Sequence, residues 1–175
     1  MPSSATSTPE LAALADVCAR LDSTRIDYML TGSLAMSYYA RPRMTRDINL
    51  VIALDAAQVE LLTAALGADY HADGAAITAA LREARPWNVI HLASVAKIDL
   101  IPRKETPYRL AEFERRSRVE LAGVSLWIVS IEDLSSPSSN GRAIRTRNSS
   151  GAISASCCWR RMIRYIFTNG PDSSI

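Results

Sequence analysis

The sequence predicts a mixed α/β fold of the α+β kind, a mixed β-sheet with flanking helices, and three observations lead there. Short apolar runs with period-two alternation recur along the chain and are bounded by Gly, Pro, Asp and Ser. Between them stand segments that open on helix-start signals and carry apolar residues at helical spacing. Finally, 175 residues with 48% hydrophobic content are enough for one proper core.

Taken in order, Thr8-Pro9-Glu10 is a helix start, with Thr8 as N-cap and Pro9 in the first turn. Leu11, Leu14, Cys18 and Leu21 share its apolar face, which assigns Cys18 to core packing. Asp27–Leu30 reads as a short strand broken by Gly32, and Leu34–Ala40 as a short helix stopped near Pro42. A strand through Arg43–Ile52 follows. Asp55-Ala-Ala-Gln58 resembles a capping box opening a helix to Leu66, and Asp73 opens another. Trp87–Leu92 and Val95–Ile101 are two strands around a tight Ala93-Ser94 connection. Thr106-Pro107 starts a helix to about Arg116. Val119–Leu121 and Val124–Val129 form strands around Gly123, and Ser130-Ile-Glu-Asp133 opens a last helix.

The densest chemistry lies in Thr31-Gly32-Ser33 and in the strand that follows. Glycine admits close approach of backbone to a ligand, and the Ser33 hydroxyl beside the first N–H groups of a helix faces an anion such as a triphosphate. Side chains alternate on a strand, so Arg43, Thr45, Asp47 and Asn49 share one face. Met44, Ile48, Leu50 and Ile52 take the other, with Arg46 the misfit. Oxygen side chains at i and i+2 can converge on one hard cation, as Mg²⁺ uses one or two carboxylates plus substrate phosphates. An edge strand with one polar face would look similar. Asp99 lies between apolar Ile98 and Leu100, which point to the opposite face. A carboxylate so placed needs a partner: Lys97, an arginine or a metal.

Together, Gly32-Ser33, Arg43-x-Thr45-x-Asp47-Ile48-Asn49-Leu50 and Lys97-Ile98-Asp99-Leu100 resemble the nucleotidyltransferase superfamily with the polymerase-beta-like fold. The nearest likeness is to minimal bacterial members, including AbiEii-type toxin-related proteins, over about Leu11 to Leu134. The resemblance implies that Asp47, position 49 and Asp99 hold Mg²⁺ or Mn²⁺, that Gly32 and Ser33 hold the NTP triphosphate, and that Asp47 and Asp99 are catalytic. It implies an RNA, protein or small-molecule hydroxyl as acceptor, and a toxin–antitoxin or phage-defence setting with an antitoxin protein as partner. Position 49 departs from the pattern. Asparagine keeps one ligating oxygen and removes a unit charge, a gross Coulomb change of roughly 8 kcal/mol at about 4 Å and an effective dielectric near 20. Desolvation offsets much of it, and weaker metal binding is the expectation.

Other features bound the partners. No stretch approaches the roughly 20 apolar residues of a membrane span, and the N-terminus lacks a basic-then-apolar signal, so no membrane is expected and the cytoplasm is the default. Cys18, Cys157 and Cys158 give neither a disulfide framework nor metal-ligand spacing. The net charge of +2 is uneven: residues 1–134 carry 14 basic and 17 acidic residues, the remainder 6 and 1. The cluster Arg115, Arg116 and Arg118 reads as solvated surface before it reads as an RNA groove. His91, mid-strand, reads as a hydrogen-bonded structural histidine.

Residues 1–134 therefore form the expected nucleotidyltransferase-like domain, and 135–175 an atypical Ser/Arg-rich tail without helical or strand period. Two explanations stand for the tail. One is an ordinary disordered segment. The other is a frame displaced near Leu134 to Ser138: with suitable codons for Ser138 to Ser150, the frame one base earlier reads Leu-Glu-Trp-Ala-Arg-Asp-Ser-Asp-Ser-Glu-Leu-Gln, a helix-like sequence. The nucleotide sequence decides between them. Three functional readings follow: a metal-dependent nucleotidyltransferase, a nucleotide- or partner-binding module weakened at Asn49, and a truncated product without stable activity.

Overall fold

The computed structural model describes residues 8–40 and 47–135 of the chain. By internal contacts the chain divides into Met1–Leu134 and Ser135–Ile175. The tail beyond Ser135, with Cys157 and Cys158, lies outside the described residues, as do Arg43, Met44, Thr45 and Arg46.

Among its described residues the first unit has six α-helices and seven strands. The helices are α1 (Pro9–Thr24), α2 (Gly32–Tyr39), α3 (Val59–Leu66), α4 (Gly74–Arg82), α5 (Pro107–Glu114) and α6 (Ile131–Leu134). The strands are β1 (Tyr28–Thr31), β2 (Ile48–Ile52), β3 (Tyr70–His71), β4 (Trp87–His91), β5 (Ala96–Pro102), β6 (Ser117–Leu121) and β7 (Val124–Ile128). They form one mixed sheet in the order β3-β4-β5-β2-β1-β7-β6. The β2–β5 and β1–β7 pairs are parallel, the others antiparallel. The expected α+β class, a mixed sheet with flanking helices, is the observed one.

Local chemistry sets the boundaries. Thr8 Oγ1 accepts from the Leu11 amide at 3.3 Å, and Pro9 sits in the first turn of α1, where its missing N–H has no cost. Asp55 and Gln58 form the full capping box, although it opens a 3₁₀ turn (Ala56–Gln58) that runs into α3. Several details differ from the sequence reading, among them that β2 begins at Ile48, which leaves Asp47 just outside the described strand, and that β6 begins at Ser117. The β4–β5 connection spans the four residues Leu92 to Val95, because Val95 takes a left-handed φ of 54° and leaves the ladder. β3 has only two residues, too few for any period to show.

The sheet has two unlike faces. Tyr28, Leu30, Ile48, Leu50, Ile52, Val89, Ile98 and Leu100 are fully buried on one of them. The apolar stripe of α1, Ala13, Leu14, Val17, Cys18 and Leu21, is equally buried and belongs to the same core. Arg20 ties α1 to α3: its guanidinium donates to Asp16, to the Ala65 and Leu66 carbonyls at 2.8 and 2.9 Å, and to Asp69. It thereby satisfies carbonyls at the end of α3 that the helix leaves open. The other face carries Thr31, Asn49, Val51, Lys97, Asp99 and Asn88, which are half-buried or exposed.

Candidate functional site

Register, and not proximity in sequence, assembles the site. Asn49 on β2 stands opposite Thr31 on β1 and beside Asp99 on β5, and Asp99 stands opposite Asn88 on β4. These four residues make one row across four adjacent strands, which in a sheet lie about 4.8 Å apart. Their sequence neighbours Ile48, Leu50, Ile98 and Leu100 are fully buried on the opposite face, which fixes the row on the open one.

The Gly32 turn lies against the same row. Its φ of +74° is one that glycine adopts freely. A Cβ built there would come 3.0 Å from Asn49 Nδ2 and 3.4 Å from its Cβ and Cγ. Gly32 is thus required twice, by its backbone angle and by the side chain lying against it. α2 begins at Gly32, and its N-cap, Thr31, makes no side-chain cap hydrogen bond. The first amides of α2 have no hydroxyl from that residue, which leaves the helix N-terminus suited to an anion. Ser33 is exposed in this first turn.

The carboxylates are placed unequally. Asp47 is exposed and immediately precedes β2. Asp99 is about a quarter exposed, and its Oδ1 lies 2.8 Å from Lys97 Nζ, whose side chain is half exposed. Of the three partners open to Asp99 from sequence, the structure supplies the lysine on its own face.

Among the described residues, no group of three or more His, Cys, Asp and Glu gathers as for a metal ion. The expected set consists of two carboxylates and one amide. Those are hard oxygen donors, and the substrate phosphates that Gly32 and Ser33 would hold supply the remaining oxygens a Mg²⁺ site takes. The donor chemistry fits such an ion, with Lys97 as a competing cation at Asp99.

The other singled-out residues fall elsewhere. Cys18 is buried, and burial pushes its thiol up to about 12, so it is an inert core residue. His91 Nδ1 lies 2.7 Å from Ser94 Oγ, and its ring packs against Tyr70 at 5.1 Å between centroids, in keeping with a structural role. In the arginine cluster Arg115 and Arg118 are exposed, as expected of a surface cluster, while Arg116 is half-buried, and each has a carboxylate partner. Arg115 pairs with Asp133, Arg116 with Asp27, and Arg118 with Asp22. Arg116 lies 4.2 Å over the Phe113 ring and 5.1 Å from that of Trp127. Carboxylates of this chain neutralise all three.

A recess lined by Leu54, Asp55, Gln58, Arg103 and Glu105 lies beyond the C-terminal end of β2, away from Asn49 near its start. Thr31 lies in the segment already noted from sequence but without a role of its own, and Asn88 is the member of the row that sequence reasoning did not single out. Asn88 was within reach, since a tight turn at Ala93-Ser94 already sets residue 88 opposite residue 99.

Compared with protein-family models and with curated proteins, the chain matches neither.

Proposed function

We propose that the open-face row and the Gly32 turn form the site of a metal-dependent nucleotidyltransferase, which moves NMP from an NTP to an acceptor hydroxyl. The observation that carries this reading is the packing of Gly32 against Asn49, with Asp99 as the next residue across the sheet. A phosphate-type turn and a paired-oxygen row are thereby juxtaposed.

The chain's own groups divide the reaction as follows. Gly32 and Ser33, with the first amides of α2, hold the triphosphate. Asp47, the Asn49 amide oxygen and Asp99 would hold Mg²⁺ or Mn²⁺, which supplies charge neutralisation at the phosphates. Asp99 accepts the acceptor hydroxyl's proton through Oδ2, the oxygen other than the one facing Lys97. The acceptor oxygen bonds to the α-phosphorus, the α–β bridging bond breaks, and pyrophosphate leaves.

A second reading has its own observation. Asn49 in place of a carboxylate, with Asp99 already paired to Lys97, lowers the negative charge of the row. Such a row suits a binding module for a nucleotide, or for a protein partner such as an antitoxin, without turnover.

One assay separates them. Labelled α-phosphate from each NTP is offered with Mg²⁺ or Mn²⁺ to total RNA and total protein, using native chain, Asn49→Asp and Asp47→Ala. Transfer by native or Asn49→Asp protein, abolished in Asp47→Ala, is the expected result. No transfer by any of these folded forms rejects the enzyme and leaves the binding module.

Among the described residues, no helix is long and apolar enough to cross a membrane.

A further inference from the structure

Lys97 lies outside the core, exposed on the open face of the sheet beside the row of Asn49 and Asp99. It precedes Asp99 by two residues on β5, so both project from the open face. The cross-strand neighbours of Asp99, Asn49 and Asn88, are neutral amides, and the ammonium at 2.8 Å is the cation set on this carboxylate. Asn49 pairs with Asp99 across the sheet, and Asp47 immediately precedes the strand that carries Asn49. Within the Lys97–Asp99 pair the ammonium offsets the carboxylate charge.

An ammonium already seated on Asp99 disfavours a bare divalent ion there and favours an ion that arrives with a polyphosphate. We infer that Lys97 is a nucleotide-phosphate-binding residue, stored on Asp99 until a metal–nucleotide complex arrives. This deepens the nucleotidyl-transfer reading and rests on it.

The pair is suited to exchange. With Lys97 half exposed and Asp99 about a quarter exposed, it is of the kind whose net worth is small. The lysine stem is flexible and its ammonium is a point charge that can turn to a new oxygen. A divalent ion at Asp99 repels the ammonium, and the phosphates beside it attract it. The Arg109–Glu112 pair lacks this freedom: Glu112, held by Arg109 at 2.7 Å, is only 6% exposed.

The test is binding, on the full chain, of Mn²⁺ alone by electron paramagnetic resonance and of Mn²⁺ with each NTP by calorimetry. Native protein, Lys97→Met and Lys97→Arg are compared after their thermal unfolding curves are shown to agree. The expected result for Lys97→Met is Mn²⁺ alone bound about threefold tighter, since the competing cation is gone. Its binding of the Mn²⁺–NTP complex should be about tenfold weaker, for loss of a charged hydrogen bond. Lys97→Arg should recover most of the nucleotide affinity. A purely structural lysine would not move the two affinities in opposite directions. Native protein that binds Mn²⁺–NTP, with Lys97→Met unchanged in either measurement, overturns the inference and leaves the transferase reading standing. Native protein that binds neither probe overturns both.

Discussion

Asp133 and Asp99 each face a basic side chain, and the difference between them separates architecture from site. Asp133 is nearly buried and saturated: Arg115 donates from Nε and Nη2 at 2.9 and 2.6 Å, Ser130 Oγ at 2.8 Å and Tyr108 OH at 3.2 Å. It joins α5 to α6 and has no capacity left for a ligand. Asp99 faces one flexible ammonium, is more exposed, and looks across the sheet to two amides. A carboxylate that holds a fold together is surrounded by rigid donors. One that can exchange partners is left with a mobile cation.

The largest effect that would break this contrast is on stability. Asp133→Ala should cost about 2 kcal/mol, because several hydrogen bonds to a charged, buried acceptor vanish together. Lys97→Met should change stability by less than about 0.5 kcal/mol. Denaturant unfolding of both variants measures this, and equal losses would erase the distinction. The same contrast extends to pH. The Arg115 hydrogen bonds, outweighing burial and aided by Ser130, hold the Asp133 carboxyl below its ordinary value of 3.8. A depressed carboxyl contributes stability in full above the ordinary value and loses it as pH falls through the folded one. Acid unfolding below about pH 4 should therefore lose that contribution in native protein, whereas Asp133→Ala should show a shallower acid dependence there.

A smaller effect sharpens the account of the turn. Gly32→Ala should cost about 1 kcal/mol from its left-handed φ. It should also lower nucleotide affinity, because its Cβ displaces the Asn49 side chain. Gly67→Ala is the control. Gly67 also has a positive φ, 57°, but no atom within 4 Å of its Cβ position, so it should lose stability without touching nucleotide affinity.

The helices, the β4–β5 register and the placement of Asp99 opposite Ile98 and Leu100 were legible, because alternation and caps act over a few residues. The sheet order was not. That β5 inserts between β4 and β2, bringing Asp99 beside Asn49, depends on packing between segments some fifty positions apart in sequence. The length of β6 was hidden as well, since Ser117 and Arg118 lack strand character and join by pairing with Ile128 and Trp127. The contact of Gly32 with Asn49 followed from no local rule: each residue was noticed, and their juxtaposition is a product of the β1–β2 register. The ion pairs of the surface arginine cluster were not legible, because its carboxylate partners, Asp22, Asp27 and Asp133, lie at least fifteen residues away.

The most direct test of the central claim, that the Asn49–Asp99 row binds a metal–nucleotide complex, is calorimetric titration with Mn²⁺–NTP of native chain, Asn49→Asp and Asp99→Asn. The account predicts binding at least about tenfold tighter for Asn49→Asp, where a carboxylate charge returns beside the ion, and binding lost in Asp99→Asn. Equal affinity in all three would place the nucleotide elsewhere or nowhere, and would contradict it.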